Sequence, residues 1–165
     1  MFICSVRAST LKFFAVIGAT LALLIVLVVI GGTDAVPVSV GGVEVSYGGM
    51  RNNEDRVEFI EKLGVLVKDE PVTEERFSAP DSFDRITGGY NEIQKSQGLD
   101  LSKYVGKRIT HYVYEVENYD YDGKVYVNLL VYKNRIIGCD ISSADGKGFV
   151  SPLVGLDIGK LKGNP

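Results

Sequence analysis

The chain has 165 residues, enough for one domain and an additional segment, and 45% of them are hydrophobic. Its 18 lysines and arginines stand against 21 aspartates and glutamates, a formal net charge of −3, and this acidic balance argues against a nucleic-acid partner. The chain has a single histidine, His111, which excludes a zinc site built from several histidines.

The N-terminus carries an apolar segment that predicts a membrane anchor. The eighteen residues 13–30 contain no charged side chain. A helix of that length measures about 27 Å, close to the ~30 Å hydrocarbon core of a bilayer. Because Arg7 and Lys12 precede the segment, the positive-inside rule predicts a cytoplasmic N-terminus at 1–12, a signal anchor at 13–31 and an extracytoplasmic remainder. The predicted partner of the anchor is the bilayer of the cell membrane.

A cleaved signal peptide is the alternative to this anchor. Its apolar core is about 7–15 residues long and is followed by small residues at the cleavage site. The segment here is longer, and Thr33-Asp34-Ala35 fits such a site poorly, so the uncleaved anchor is favoured. The anchor separates Cys4 from Cys139, and the two residues are therefore not expected to pair within one chain. Cys139 is predicted to be a small buried residue of a strand.

Residues 32–50 form a stretch rich in glycine and valine that allows two interpretations. Segments 36–40 and 43–47 around Gly41-Gly42 fit a short hairpin, but an isolated hairpin is marginal in water. We interpret 32–50 as a juxtamembrane tether that is able to add an edge strand.

The extracytoplasmic domain is predicted at 51–150 and begins with a helix. The asparagines at 52–53 suit the N-cap, and the acids at 54–55 suit the first turn of a helix. Gly64 is expected to end this helix. The charged run at 72–77 is typical of an exposed edge strand.

A second helix is predicted from 81 to 97. Gly88-Gly89 lies in its middle and weakens it by about 1 kcal/mol per glycine relative to alanine. In the turn that follows, Leu101 and Tyr104 are expected to pack against the domain.

Residues 107–142 are predicted to form the sheet. They contain three runs rich in Val, Ile and Tyr, which are separated by turn signals at Asp122-Gly123 and Lys133-Asn134. This pattern predicts a three-stranded antiparallel meander. With one or two edge strands and the two helices packed on it, the predicted fold is a small α+β domain that follows an N-terminal transmembrane helix.

The last hairpin of the meander leaves two registers open. A three-residue turn at 133–135 pairs Val131 with Ile137 and Leu129 with Cys139, and it places the apolar residues of both strands under the helices. A two-residue turn is commoner and places them on opposite faces. The apolar pattern favours the first register. The other face then carries the predicted aromatic binding residues Tyr112, Tyr114, Tyr126 and Tyr132.

Four motifs in this order resemble a bacterial family catalogued as domain of unknown function 4830 (DUF4830), whose members have a single N-terminal membrane span. The motifs are NNEDRVEFIEKLG at 52–64, YNEIQKSQGLDLSKYVGKRI at 90–109, YVYEVENY at 112–119 and LLVYKNRIIGCDI at 129–141. The resemblance covers about 50–150. This chain departs from the family pattern at Val65, where tryptophan is frequent, and at Cys139, where glycine is. The resemblance implies no activity, because none is assigned to the family.

Residues 118–123, Asn-Tyr-Asp-Tyr-Asp-Gly, match the first half of a calcium loop, with oxygen ligands at positions one, three and five and then glycine. Position twelve of such a loop is glutamate, but here it is Leu129. A polar hairpin loop is therefore favoured, and no metal site is predicted. The chain has no G-x-S-x-G, P-loop or G-x-G-x-x-G motif, and no cofactor is predicted.

The segment 151–165 has no clear period and is predicted to be a loosely docked tail. Two functions from different classes remain. The first is a membrane-anchored extracytoplasmic module of the cell envelope that binds or scaffolds a partner through its tyrosine face. The alternative is a small envelope enzyme that uses His111, Asp140 or Cys139.

Overall fold

The computed structural model describes residues 38–40, 43–82, 85–145 and 148–162. In chain order its elements are β1 Val38–Val40, β2 Val43–Val45, α1 Asn53–Glu61, β3 Thr73–Ser78, α2 Arg85–Lys95, the 3₁₀ helix Leu101–Tyr104, β4 Arg108–Glu115, β5 Val125–Tyr132, β6 Arg135–Ser143, β7 Val150–Pro152 and the 3₁₀ turn Ile158–Lys160. Strands β3 to β7 form an antiparallel sheet in sequential order, and β1 and β2 form a separate hairpin. The predicted α+β class is confirmed.

The predicted cytoplasmic N-terminus and transmembrane anchor, 1–31, lie outside the described residues. Within the described ranges, no helix is long and apolar enough to cross a membrane.

Within the predicted tether at 32–50, the strands at 38–40 and 43–45 form the hairpin that the sequence offers as the alternative interpretation. Val38 pairs with Val45 in the β1–β2 ladder, and the chain then enters the core. Tyr47 is fully buried, its hydroxyl donates to the backbone carbonyl of Gln97 at 2.6 Å, and its own carbonyl accepts from the amide of Ile136. The core therefore extends N-terminal of residue 51, because this segment has backbone partners in the sheet that an isolated hairpin lacks.

Helix α1 begins as the sequence predicts. The side chain of Asn52 accepts from the amide of Asp55, and the carboxylate of Asp55 accepts from the amide of Asn52, which completes a reciprocal capping box. Gly64 has a φ of +83°, the left-handed conformation that ends a helix with little strain in glycine. Phe59 and Ile60 point into the main core, on one face of the sheet.

Helix α2 is shorter than the predicted 81–97, and residues 83–84 of that range lie outside the described residues. The helix contacts β6, β7 and the 3₁₀ helix at Leu101–Tyr104. Leu101 belongs to a second apolar cluster on the sheet face opposite α1, and Tyr90 and Tyr104 pack against that cluster. The two helices therefore do not cover the same face.

The last hairpin combines the two registers that the sequence left open. Its turn has two residues, Lys133 and Asn134, with φ values of +46° and +60°, as a type I′ turn requires. An irregularity between Leu130 and Val131 then shifts the pairing by one residue, so that Val131 lies opposite Ile136 while Leu129 lies opposite Cys139. The expected pair of Leu129 and Cys139 is confirmed, and that of Val131 and Ile137 is wrong.

Residues 148–162, which include the described part of the predicted tail at 151–165, pack against the sheet and the main core. This segment provides β7, which pairs with β6, and three buried side chains of the main core, Leu153, Val154 and Leu161. The sequence signal was weak because these residues dock through short apolar contacts rather than through a periodic element.

Candidate binding site

The four tyrosines of the predicted aromatic face divide between the two faces of the sheet. Tyr112 and Tyr114 lie opposite inward-facing core residues of β5, on the face that α1 covers. Tyr126 and Tyr132 alternate with those core residues and therefore lie on the other face. The prediction of a single tyrosine-rich face is wrong, because the connection at 116–124 is too long for a tight turn to fix which residues of β4 and β5 share a face.

Tyr112 and Tyr114 hold α1 on the sheet. Tyr114 is fully buried, and its hydroxyl accepts from Nε of Arg56 at 2.8 Å and donates to Oδ1 of Asn53 at 2.9 Å. Burial raises the pKa of Tyr114, an effect that the Arg56 guanidinium opposes. The same guanidinium lies 3.8 Å from the ring centroid of Tyr112 in a cation–π contact. These contacts satisfy a buried arginine, so both tyrosines have a structural role.

The face opposite α1 carries five hydrogen-bonded polar side chains, which we call the polar row: Tyr90, His111, Asn128, Asp140 and Ser142. Nε2 of His111 lies 3.0 Å from Oδ1 of Asn128, whose Nδ2 donates to Oδ1 of Asp140 and to Oγ of Ser142, both at 2.9 Å. The hydroxyl of Tyr90 donates to Oδ2 of Asp140 at 2.5 Å. Antiparallel pairing positions these groups, since Asn128 lies directly opposite Asp140.

The carboxylate fixes the orientation of the other groups in the polar row. Nδ2 of Asn128 donates to Asp140, so its Oδ1 faces His111, and because an amide oxygen only accepts, the hydrogen bond between Asn128 and His111 requires a proton on Nε2. Burial raises the pKa of Asp140, while hydrogen bonds from Tyr90 and Asn128 and the proximity of His111 oppose that rise. Burial, and then the charge of Asp140, raise the pKa of Tyr90, so its hydroxyl remains a donor.

Cys139 is fully buried and serves the packing of the core. Its thiol lies 3.3 Å from Oε1 of Gln97, and burial and the neighbouring carboxylate raise its pKa well above the ordinary range of a thiol. Gln97 also donates to the carbonyl of Cys139 and accepts from the amides of Leu153 and Val154, while Gln94 accepts from the amide of Cys139. The two glutamines thus continue the ladder of β6 where β7 does not reach. A thiol in this environment is a poor nucleophile.

An apolar pocket of about 170 Å³ lies beside the polar row, on the same sheet face. Tyr90 belongs to both, since its ring lines the pocket and its hydroxyl binds Asp140. Among the residues that line the pocket, Phe77 and Pro80 are exposed, so the pocket opens toward solvent where β3 ends. Its lining residues are Phe77, Ala79, Pro80, Thr87, Tyr90, Leu101, Tyr104, Ile109, Leu130 and Ile137.

The calcium-like loop has structural contacts. The side chain of Asn118 is buried, where it accepts from the amide of Leu66 and donates to the carbonyl of Gly64. Asp120 pairs with Lys162 at 2.9 Å. Within the described part of the chain, no group of three or more His, Cys, Asp or Glu side chains is placed to hold a metal ion.

Sequence reasoning identified His111, Asp140 and Cys139 as candidates but missed the residues that connect them. Asn128 is a polar residue among the apolar residues of β5, and it faces Asp140, a second interruption of an apolar strand. Two such interruptions in neighbouring strands are a signal for a cross-strand polar pair. No comparable signal distinguished Gln94 and Gln97 from the exposed polar face of a helix.

Comparison with protein families gives a match over part of the chain. Residues 71–146 match the model of a family described as a domain of unknown function, DUF4830, so the resemblance inferred from the sequence is confirmed for this segment. The match includes the motifs at 90–109, 112–119 and 129–141 and not the motif at 52–64. Neither the curated proteins nor the solved structures gave a match to the chain.

Proposed function

We propose that this DUF4830-containing chain is a binding module whose ligand site is the apolar pocket together with the adjacent polar row. The observation that carries the proposal is the pocket itself. A cavity of about 150 Å³ with apolar walls is large enough to bind benzene, so a pocket of about 170 Å³ has room for one aromatic ring or branched aliphatic group. Apolar walls with a few polar groups at one side are typical of ligand sites.

The polar row supplies the complementary polar surface. His111, Asn128 and Ser142 are half-buried, so they are partly accessible beside the pocket, whereas Asp140 is buried and already accepts two hydrogen bonds. A ligand that places its apolar group in the pocket would direct a hydrogen-bonding group toward the accessible end of this row.

The enzyme alternative receives less support from the geometry. Cys139 is buried and bonded to Gln97. In the described part of the chain, His111 has Asn128 as its hydrogen-bond partner, and Asn128 separates His111 from Asp140. A nucleophile with its base within hydrogen-bond distance is the arrangement that covalent catalysis needs, and these three residues do not form it.

Binding can be measured with the fluorescence of a tryptophan analogue, because the chain contains no tryptophan. N-acetyltryptophanamide added to the full-length chain in lipid nanodiscs should shift its emission to shorter wavelength as the indole leaves water. Empty nanodiscs correct for partition into lipid. The variant Ala79→Leu, which fills the pocket, should abolish the shift, and Leu66→Ala, a change at an exposed site, should retain it. Identical shifts for both variants would refute the assignment of the site.

We also propose that residues 13–31 anchor the chain in the cell membrane with the folded domain on the extracytoplasmic side. The proposal is supported by the apolar run and by the two basic residues that precede it. A membrane-impermeant maleimide tests it in intact cells. The variant Ser102→Cys, at an exposed site, should be labelled, whereas Cys4 should react only after permeabilisation and the buried Cys139 should not react. Labelling of Cys4 before permeabilisation would contradict this topology.

A further inference from the structure

The two long edges of the sheet differ in how their backbone groups are satisfied. The amide of Met50 donates to the carbonyl of Asn134, Gly48 bridges to Arg135, and β7 pairs with Asp140 to Ser142. Together with the two glutamines at Cys139, these contacts cover the outer edge of β6. At the other side of the sheet, β3 pairs only with β4, and all six of its residues are exposed. Among the described residues, β3 is therefore the long open edge of the five-stranded sheet, whereas the opposite edge ends in the three-residue strand β7.

The backbone groups that β3 offers can be assigned by residue. The amide of Ala79 donates to the carbonyl of Lys107 at 2.8 Å, in line with the β3–β4 register. Bonded residues alternate along an antiparallel strand. The N–H and C=O groups of Glu74, Arg76 and Ser78 therefore point away from β4, toward solvent. Such a row of unpaired groups is a template for one further strand.

The apolar pocket lies at the end of this open edge. Phe77 belongs to β3 and, with Pro80, forms the exposed rim of the pocket. A residue added opposite Phe77 would project onto the same sheet face as the pocket. An aromatic side chain is long enough to pass over Phe77 and enter it.

A charge lies two residues before Phe77 on the same face. Glu75 is exposed and pairs in register with His111, while its neighbour Glu74 is 3.6 Å from Arg76 on the other face. Within the described residues Glu75 has no ion pair. A residue added opposite Glu75 would therefore be favoured if it were basic.

We propose that β3 binds an extended segment of a partner protein as a sixth, antiparallel strand, and that this segment carries an aromatic residue followed two positions later by lysine or arginine. The aromatic side chain occupies the pocket, the intervening residue exchanges backbone hydrogen bonds with Arg76, and the basic residue faces Glu75. This is recognition by strand addition, in which the backbone supplies affinity and alternate side chains supply specificity. The inference rests on the proposed binding function of the pocket and names the class of its ligand.

The probe is the capped peptide Thr-Thr-Trp-Thr-Lys-Thr, added to the chain in nanodiscs; the chain itself has no tryptophan, and the emission of empty nanodiscs is subtracted. Its affinity should exceed that of N-acetyltryptophanamide. Methylation of the amide nitrogen of the threonine that separates tryptophan from lysine should weaken binding about tenfold or more, because that N–H bonds to β3. Methylation of the amide nitrogen of the lysine should have little effect, because that N–H points away from β3.

Variants of the chain provide the matching test. Arg76→Pro removes an outward N–H at an edge position where proline is tolerated. It should therefore reduce the affinity of the peptide to that of N-acetyltryptophanamide, whereas Arg76→Ala should retain the higher affinity of the peptide. Glu75→Lys should weaken binding about threefold, and replacing the lysine of the peptide by glutamate should restore it.

The outcomes separate the inference from the proposed function. If N-acetyltryptophanamide binds but the peptide gains nothing and both N-methylated forms behave alike, strand addition is refuted and the pocket stands. If neither ligand responds to Ala79→Leu, the pocket assignment fails as well. Because the peptide variants leave the chain unchanged, misfolding of a protein variant does not affect the decision.

Discussion

Replacement of Gln97 by leucine tests whether a single buried amide joins β6 to the C-terminal segment. The side chain of Gln97 is fully buried, donates to the carbonyl of Cys139 at 2.8 Å, and accepts from the amides of Leu153 and Val154 at 2.9 Å each. Gln97→Leu keeps a similar volume and leaves these three backbone groups without partners. At about 1–3 kcal/mol for each unsatisfied group, the expected loss is roughly 3–9 kcal/mol.

Such a loss is large for a domain of ordinary stability, about 5–15 kcal/mol. It is measured by urea denaturation of the full-length chain followed by near-UV circular dichroism of its tyrosines. The matched control is Gln94→Leu. Gln94 accepts from the amide of Cys139 at 2.8 Å and from Nε2 of Gln97 at 3.4 Å, and its own buried Nε2 has no hydrogen-bond partner among the described residues. Gln94→Leu leaves the amide of Cys139 without its partner but also removes the unpaired Nε2 group, so a loss of about 1 kcal/mol in the free energy of unfolding is expected.

Comparison of the losses in unfolding free energy of the two variants shows whether the hydrogen bonds of Gln97 provide the stability. A loss below about 1 kcal/mol for Gln97→Leu would mean that water or local movement satisfies the three groups. An equal loss for the two variants would mean that volume and shape, rather than the hydrogen bonds, determine the contribution of these side chains.

Four further predictions concern Tyr90, Asp140, Asn118 and Lys133. Tyr90→Phe removes a hydrogen bond to Asp140 that lowers the pKa of this carboxyl group, so that pKa should rise further in a carbon-13 NMR titration; an unchanged pKa would contradict this. Because the folded state raises the pKa of Asp140 above its unfolded value, the stability it contributes is present at acid pH and lost as pH rises through the folded pKa, and Asp140→Asn should make the urea midpoint less sensitive to pH in that range. Asn118→Ala leaves the amide of Leu66 and the carbonyl of Gly64 without partners and should lower the free energy of unfolding by about 2 kcal/mol or more in urea denaturation. Lys133→Gly should raise the free energy of unfolding by up to about 1 kcal/mol, because glycine adopts a positive φ without strain.

Local interactions explain which elements the sequence predicted well. The start of α1 depends on Asn52 and Asp55, which are three residues apart, and its end depends on the positive φ of Gly64. The three strands of the meander follow from β-branched and aromatic residues between turn signals. In each case the stabilising partner lies within a few residues, so the pattern carries the information.

The last hairpin shows how two valid signals combine. Turn statistics favoured two residues at Lys133-Asn134, and apolar periodicity favoured Leu129 opposite Cys139. The structure satisfies both, because a one-residue irregularity beyond the turn restores the apolar face. Either signal taken alone predicts half of the hairpin incorrectly.

The parts that the sequence did not reveal depend on distant partners. The hydrogen bond between Gln97 and Leu153 joins residues more than forty positions apart. The pairing of β7 with β6 involves a short segment without a periodic pattern. Tyr112 and Tyr126 lie on opposite faces because of the long connection between β4 and β5. No local sequence signal shows which residues of the two strands that connection places on the same face. Non-local pairing of this kind is fixed by the assembled core rather than by any short segment.

Tyr90 connects the chemistry of the polar row with the shape of the pocket. A buried carboxylate such as Asp140 is a weak source of stability, because its desolvation offsets much of what its partners contribute. Its geometric effect is specific, since the hydrogen bond from the Tyr90 hydroxyl holds the aromatic ring that forms one wall of the pocket. Asn128 and His111 continue that orientation to the accessible side of the sheet. The same face therefore presents a preorganised apolar pocket, a polar row and an open strand edge, and preorganisation of this kind lowers the entropic cost of ordering a binding site when a ligand arrives.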